Sequence, residues 1–291
     1  MKTTRIQRVI RGTLAAVLVG LITFTCMPAK AAHELIYAVD LSDNLVSFYS
    51  DTPGTFVNPG VNITGLVGGG SEEIRGIDYW NGTIYGLGSS SRLYTIDPNT
   101  GAATLVGPQF TPLLSGQTFG VDNGPSGFRI AGGAGQNLLV SRATGAVISV
   151  DPVLHYAVGG LPRVDALAYD DASGIWYAAD TLLNNLTTLD PTTGLVTTIG
   201  PLGFDMARFN GMDISPFTGI MYAISGQSSS DPQGNLYTID KTSGLYSLVG
   251  QVGNPGDNIL YRALTVVPEP SSIALLALGA SGLLFARRRH E

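Results

Sequence analysis

A repeated unit limits what this chain can fold into more than any other feature of the sequence. The segments IYGLGSSSRLYTIDPNTGAATLVG from Ile84, FRIAGGAGQNLLVSRATGAVISVD from Phe128, IWYAADTLLNNLTTLDPTTGLVTTIG from Ile175 and IMYAISGQSSSDPQGNLYTIDKTSGLYSLVG from Ile220 align with one another. A more diverged copy, LIYAVDLSDNLVSFYSDTPGTFVNPG, begins at Leu35. Each copy holds three short alternating apolar runs separated by Gly, Pro, Asn, Asp and Ser, the pattern of antiparallel strands. A fourth strand precedes each unit: RGIDYW at Arg75, FGVDNG at Phe119, DALAYD at Asp165 and NGMDIS at Asn210, with a fifth such strand, RALTVV, at Arg262. Their small residues, Gly76, Gly120, Ala166, Gly211 and Ala263, recur at spacings of 44, 46, 45 and 52. The longest spacing contains a Ser/Asp/Pro/Gly insertion around Ser228 to Gly234. Four strands per unit at this period predict the blades of an all-β propeller.

The two ends of the repeat array are complementary. The first unit has three strands and no preceding fourth, whereas YRALTVV at Tyr261 is a fourth strand with nothing after it. Joining them completes a fifth four-stranded blade from both termini, which closes the ring and removes an open sheet edge. An open β-sandwich is the alternative, and it leaves the matching incomplete ends unexplained.

Two recurring acidic positions stand out. The turn IDPNTG at Ile96 returns as LDPTTG at Leu189 and IDKTSG at Ile239, with SRATG at Ser141 as a reduced copy. Each turn offers one carboxylate, too few for a calcium loop, so its Asp is expected to cap the turn while Gly supplies positive φ. Asp78, Asp122 and Asp213 lie two residues after the small residue of three inner strands. Alternation puts them on one strand face. If these strands line a central channel, the carboxylates could converge and form a candidate cation site, with calcium a candidate ion. The preferred expectation is that each accepts hydrogen bonds from the neighbouring blade, so no cofactor is expected. The corresponding positions in the other two blades are Ala168 and Thr265.

The ends of the chain differ from the body. Lys2, Arg5, Arg8 and Arg11 precede an apolar run from Thr13 to Phe24, and Ala29-Lys30-Ala31 fits a small-x-small cleavage site. Residues 1–31 therefore read as an export signal, with Ala29 and Ala31 as the small residues before the cut and a mature chain beginning at Ala32. The one cysteine, Cys26, falls inside that signal, which leaves the mature chain no disulfide. Between Ala32 and Val267 there are eight basic and twenty acidic residues, a balance of −12. Such a surface repels nucleic acid and anionic lipid.

Recognisable catalytic constellations are missing from the sequence. The body has two histidines, His33 and His155, with no H-E-x-x-H, no G-x-S-x-G and no cysteine nucleophile. The glycine-rich AGGAGQN from Ala131 to Asn137 lies inside a blade, without the helix that phosphate binding needs. Trp80, Tyr156, Trp176 and Tyr261 fall near strand ends, where they either stack on sugars or a partner or pack between blades. A non-enzymatic binding or structural module is the expected function. The alternative is a metal-assisted hydrolase or lactonase working in an acidic central channel.

The C-terminus is a tripartite tail: Val267-Pro268-Glu269-Pro270, an apolar stretch from Ile273 to Ala286, and Arg287-Arg288-Arg289. It resembles the PEP-CTERM sorting signal of Gram-negative bacteria. That resemblance implies recognition near Pro268, Glu269 and Pro270 by an exosortase, a membrane-embedded protease or transpeptidase. It also implies delivery to the cell surface or beyond, in bacteria that often make exopolysaccharide. Fourteen apolar residues are short for a stable span, so the tail is expected to anchor transiently in the inner membrane. Arg287, Arg288 and Arg289 stay cytoplasmic by the positive-inside rule, which places the propeller on the export side. The repeats, through LYTIDPNTGAATLVG from Leu93 and LYTIDKTSGLYSLVG from Leu236, resemble a domain of unknown function (4394) found in exported bacterial proteins. The expected organisation is a signal peptide at 1–31, a propeller at 32–267 and a sorting signal at 268–291. The expected partners are secretion machinery, exosortase and an extracellular polysaccharide or protein.

Overall fold

Turn chemistry divides the chain into short strands. In the computed structural model, which describes residues 33–203, 210–225, 233–254, 256–257 and 259–267, Asp97 Oδ1 accepts the Asn99 amide at 2.8 Å, Asp190 Oδ1 that of Thr192 at 2.9 Å and Asp240 Oδ1 that of Thr242 at 2.8 Å. Each carboxylate is spent on its own turn, as the sequence reading anticipates, and the glycine that ends each turn has positive φ. The Thr192 and Thr193 side chains, donating to Asp190, hold its pKa down to about 2.

Among the described residues there are twenty-one strands, in five sheets that are antiparallel apart from one short edge strand. Blade I joins β21 (Tyr261–Val267) to β1 (Leu35–Asp40), β2 (Asn44–Tyr49) and β3 (Phe56–Asn62). Blade II is β4 (Ile74–Trp80), β5 (Thr83–Gly88), β6 (Arg92–Ile96) and β7 (Ala103–Val106). Blade III is β8 (Phe119–Gly124), β9 (Gly127–Gly132), β10 (Asn137–Val140) and β11 (Val147–Val150). Blade IV is β13 (Val164–Asp170), β14 (Ile175–Asp180), β15 (Asn185–Leu189) and β16 (Leu195–Pro201), with the short β12 (His155–Tyr156) added in parallel to its edge. Blade V is β17 (Asn210–Ile214), β18 (Met221–Ser225), β19 (Asn235–Ile239) and β20 (Tyr246–Gln251).

The predicted five-bladed propeller is what forms, and its ring closes between the two ends of the repeat array. Leu35 pairs with Val267, Tyr37 with Thr265 and Val39 with Ala263. The core is correspondingly divided into five apolar slabs, one between each pair of neighbouring blades. Ala166, Tyr177 and Leu186 of blade IV meet Met212, Met221 and Ile239 of blade V, for example, and Ile36, Phe48 and Leu264 of blade I meet Ile224 and Leu236 of blade V. Both faces of a blade are therefore covered, so β8 and β9 are buried at every residue. Ordinary in–out alternation does not apply to them.

The recurring small residue marks the place where inner strands pinch together. A Cβ on Gly120 would lie 2.5 Å from the Ala166 backbone, and one on Gly211 would strike the backbone of Leu264 and Ala263. At the outer rim the segment leaving one blade bonds to the next. The Ala103 amide donates to Thr64 O at 2.8 Å, His155 N to Gly194 O at 2.9 Å, and Tyr246 N to Leu202 O at 3.2 Å.

Two outcomes follow from this packing. Gly211→Val should lower unfolding free energy by about 3 kcal/mol or more, because the new atoms meet backbone that cannot move aside. Urea denaturation of the variant measures this. A chain cut after Val267 should melt cooperatively near the full-length value, whereas one cut after Leu260, lacking β21, should lose the cooperative transition in circular dichroism.

Candidate functional site: the axial carboxylates

Inner strands β4, β8 and β17 carry Asp78, Asp122 and Asp213 to the axis, where their carboxylate oxygens lie within 4.8 Å of one another and all three residues are buried. The two expectations from sequence coincide here. The carboxylates converge within the reach of a cation, and each also accepts hydrogen bonds from another blade or from its own strand.

In four of the five blades the axial side chain reaches the backbone of the next inner strand. Asp78 Oδ2 accepts Asn123 N of blade III at 2.8 Å. Asp122 Oδ2 accepts Tyr169 N of blade IV. Asp213 Oδ2 accepts Val266 N of blade I at 2.6 Å. Thr265 Oγ1 accepts Tyr79 N of blade II at 2.9 Å. Thr265 is thus the fourth member of the belt, although its hydroxyl breaks the aspartate pattern in the sequence. Ala168 is the true gap. Its would-be client, Ile214 N, turns back to Asp213 Oδ1 at 2.6 Å, and the Asn123 amide likewise makes a second bond to Asp122 Oδ1 at 2.5 Å. Five of the six carboxylate oxygens of the triad therefore accept a backbone amide.

Hydrogen-bond donors are short at the centre of the cluster. Thr265 Oγ1 lies 3.0 Å from both Asp78 Oδ1 and Asp213 Oδ2. Its single hydrogen serves one of these contacts or is shared between them, and a proton taken up by the carboxyl groups would supply the donor that is short. Electrostatics points the same way. Burial raises the pKa of all three acids, the negative charges of Asp78 and Asp213 raise Asp122 further, and Asp78 raises Asp213. Arg142 is the cation that senses Asp78, but it is engaged elsewhere, donating to Gly124 O at 2.7 Å and lying 4.1 Å from the centre of the Trp80 ring. Three carboxylates could also hold a calcium ion, with Thr265 adding a neutral oxygen. A calcium site usually gathers six to eight oxygens, and here five of the six carboxylate oxygens already accept a backbone amide.

Above the triad the axis is nearly filled. The space among Gly76, Gly120, Ala166, Gly211 and Ala263 is about 10 Å³, about the least that holds one water. The aromatic residues are absorbed into packing or hydrogen bonding. Tyr261 is wholly buried, Trp176 packs against Tyr169 at 4.8 Å, Trp80 is covered by Arg142, and Tyr156 donates its hydroxyl to Asp180 at 2.6 Å. AGGAGQN forms the β9–β10 hairpin.

A family model described as a domain of unknown function (DUF4394) matches residues 44–261, well over half of the chain. The chain belongs to this family. A PEP-CTERM protein-sorting motif matches residues 266–289 of the DUF4394 chain, beginning within β21. That motif implies export through the exosortase system to the cell surface or outside it. Its residues Pro268, Glu269, Pro270, Arg287, Arg288 and Arg289, like Ala29 and Ala31 of the expected leader, lie outside the described residues. Among the described residues no helix is long and apolar enough to cross a membrane.

No curated protein matches the chain. Solved structures resemble it at low identity. A protein of unknown function from Bacteroides caccae is 10% identical with a TM-score of 0.46, the match covering 82% of this chain and all of that one. One from Bacteroides thetaiotaomicron VPI-5482 is 16% identical with a TM-score of 0.49, covering 81% of this chain and 65% of that one. A chain of a nidogen/laminin complex is 9% identical with a TM-score of 0.48, covering 81% of this chain and 99% of that one.

The raised carboxyl pKa values set the sign of a pH dependence. Protons held by the folded triad stabilise it fully below the ordinary carboxylate range near pH 4, and that contribution is lost as pH rises through the raised native values. Melting temperature measured upward from mildly acidic pH should fall in the wild type and fall less in Asp122→Asn, which is neutral at every pH. Calcium should leave both curves unchanged, and a rise confined to the wild type would identify a bound cation instead.

Proposed function

We propose that this DUF4394 protein is an exported, non-enzymatic propeller that works at the cell surface or in the extracellular matrix as a binding or structural module. Its setting would be an exopolysaccharide or biofilm matrix, where it holds a polysaccharide or protein component. The observation that carries this reading is the position of the sorting motif. The motif begins at residue 266, inside the strand that closes the ring and ends at Val267, so the fold is complete two residues into the address. Cleavage beyond Val267, after transient anchoring in the inner membrane, would leave all five blades intact.

The competing reading is a metal-assisted hydrolase or lactonase, and the convergence of three carboxylates is the observation that favours it. Such chemistry needs an open coordination position and a path for substrate. The buried triad and the narrow axis support the binding reading over this one.

Fractionation with intact-mass measurement of the native protein tests the proposal. The expected product begins near Ala32, lacks most or all of the tail and is recovered from the surface or the medium. Recovery of the uncut chain in the cytoplasm would sink the proposal.

A further inference from the structure

At the end of the propeller where the inner strands begin, two connections and a hairpin enclose a pocket of about 200 Å³ lined by Gly116, Gln117, Thr118, Gly133, Ala134 and Arg163. The hairpin is the glycine-rich AGGAGQN between β9 and β10. Gly133 fits closely here, since a Cβ would come within 3.1 Å of Arg163 Cγ and 3.2 Å of both Thr118 Oγ1 and Asp165 Oδ1. The missing side chain lets the arginine stem lie flat against the hairpin.

Arg163 is held in place with part of its guanidinium left over. Its Nε donates to Thr181 Oγ1 at 2.8 Å and its Nη2 to Thr181 O at 2.6 Å. Among the described residues, no protein group accepts from Nη1. The nearest acid, Asp165, lies 3.5 Å from Nε and is fully buried. It takes hydroxyl hydrogens from Thr118 and Thr181, and burial pushes its pKa upward. Asp180 Oδ1 also accepts the Arg163 amide at 3.3 Å, so two buried acids flank Arg163. The guanidinium meets the pocket as a fixed cation whose Nη1 donors have no protein acceptor among the described residues. A fixed guanidinium with a free edge is preorganised for a carboxylate.

The surroundings are aliphatic. Leu113, Val153, Leu161, Leu182 and Leu183 are 57, 58, 54, 59 and 54% exposed. Contacts place them around the pocket. Gln136 donates to Leu113 O, Val153 and Leu161 flank Gly135, and Leu182 and Leu183 follow the Thr181 that holds Arg163. Exposed aliphatic groups gathered around a charged pocket mark a contact surface more than solvent-facing loops. The pocket lining carries no aromatic ring on which a sugar could stack. The exposed imidazole of His155 stands beside Val153 at the rim, and the four aromatic residues considered above are committed to packing or hydrogen bonds.

We infer that this pocket between blades III and IV docks a protein partner through an apolar segment bearing one carboxylate, with the carboxylate on Arg163 and flanking aliphatic side chains on the leucine and valine rim. Charge complementarity selects this occupant. One carboxylate matches the one free guanidinium edge, whereas a long polyanion would meet the −12 balance of the body. The inference rests on the extracellular binding role proposed above and names the partner class.

The test uses the mature exported protein in an NMR titration. The probes are a blocked leucine–valine peptide with one central glutamate, its glutamine analogue, and an oligogalacturonate. The glutamate peptide should shift resonances of Gly133, Thr118 and the Arg163 side chain. The glutamine analogue and Arg163→Gln should each weaken binding about 10-fold or more, the effect of one charge-assisted hydrogen bond. Arg163→Lys should bind with intermediate affinity. Leu182→Ser with Leu183→Ser, at exposed positions that leave the fold intact, should weaken binding without moving the melting temperature. Equal binding of both peptides, or no loss in the leucine double variant, overturns the inference. So does oligogalacturonate producing these shifts where the peptide produces none. Cytoplasmic recovery of the native protein would defeat the extracellular role while leaving the titration result standing.

Discussion

The pairing of β1 with β21 is the interaction on which the rest of the structure depends. In a ring of blades each apolar slab is covered only if the next blade is present, so an unclosed array exposes two slab faces and two sheet edges at once. Pairs from Leu35↔Val267 to Val39↔Ala263 prevent this by making blade I out of both ends of the described chain. The hydrogen bonds cost the chain a long loop closure, about 230 residues by sequence, but that entropy grows only with the logarithm of loop length. The slab between blades V and I, containing Phe48, Tyr222 and Leu264, supplies a much larger return in buried apolar surface.

Much of this architecture was legible because the same steric and turn requirements recur. The inner-strand pinch demands a small residue in every blade, so Gly76, Gly120, Ala166, Gly211 and Ala263 disclose the period despite divergence elsewhere. The Asp-to-Gly turns disclose the hairpins for a similar reason. The carboxylate belt was only half legible. Thr265 reads as a break because it is not an acid, yet a hydroxyl accepts the Tyr79 amide as a carboxylate would. Ala168 is a break with chemical consequences, since Ile214 N must use the carboxylate of its own neighbour. The aromatic residues were ambiguous because alternation cannot tell solvent from the adjoining blade when both sheet faces are covered. Arg163 was invisible as a site residue. Its pocket is assembled from loops distant in sequence, and no local motif records that meeting.

The triad illustrates how one arrangement can be structural and ionisable at the same time. Amide hydrogen bonds favour charged carboxylates, while burial and mutual repulsion oppose them, and a shared proton relieves the conflict without giving up the links between blades. The belt that draws the inner strands together is consequently sensitive to pH. Its weakest link is chemical, at the Ala168 position, where blades IV and V lack the axial bond but gain a rim ion pair between Lys241 and Asp170 at 2.8 Å.

The side-by-side placement of Leu35 and Val267 also decides how the molecule bears load. Tension applied to the chain beyond Val267 pulls β21 along its own length, against a β1 held in place by its pairing with β2. The hydrogen bonds between β21 and β1 are then sheared together instead of being peeled apart one by one. A body tethered at that point in moving fluid would resist unravelling at the very strand by which it is held.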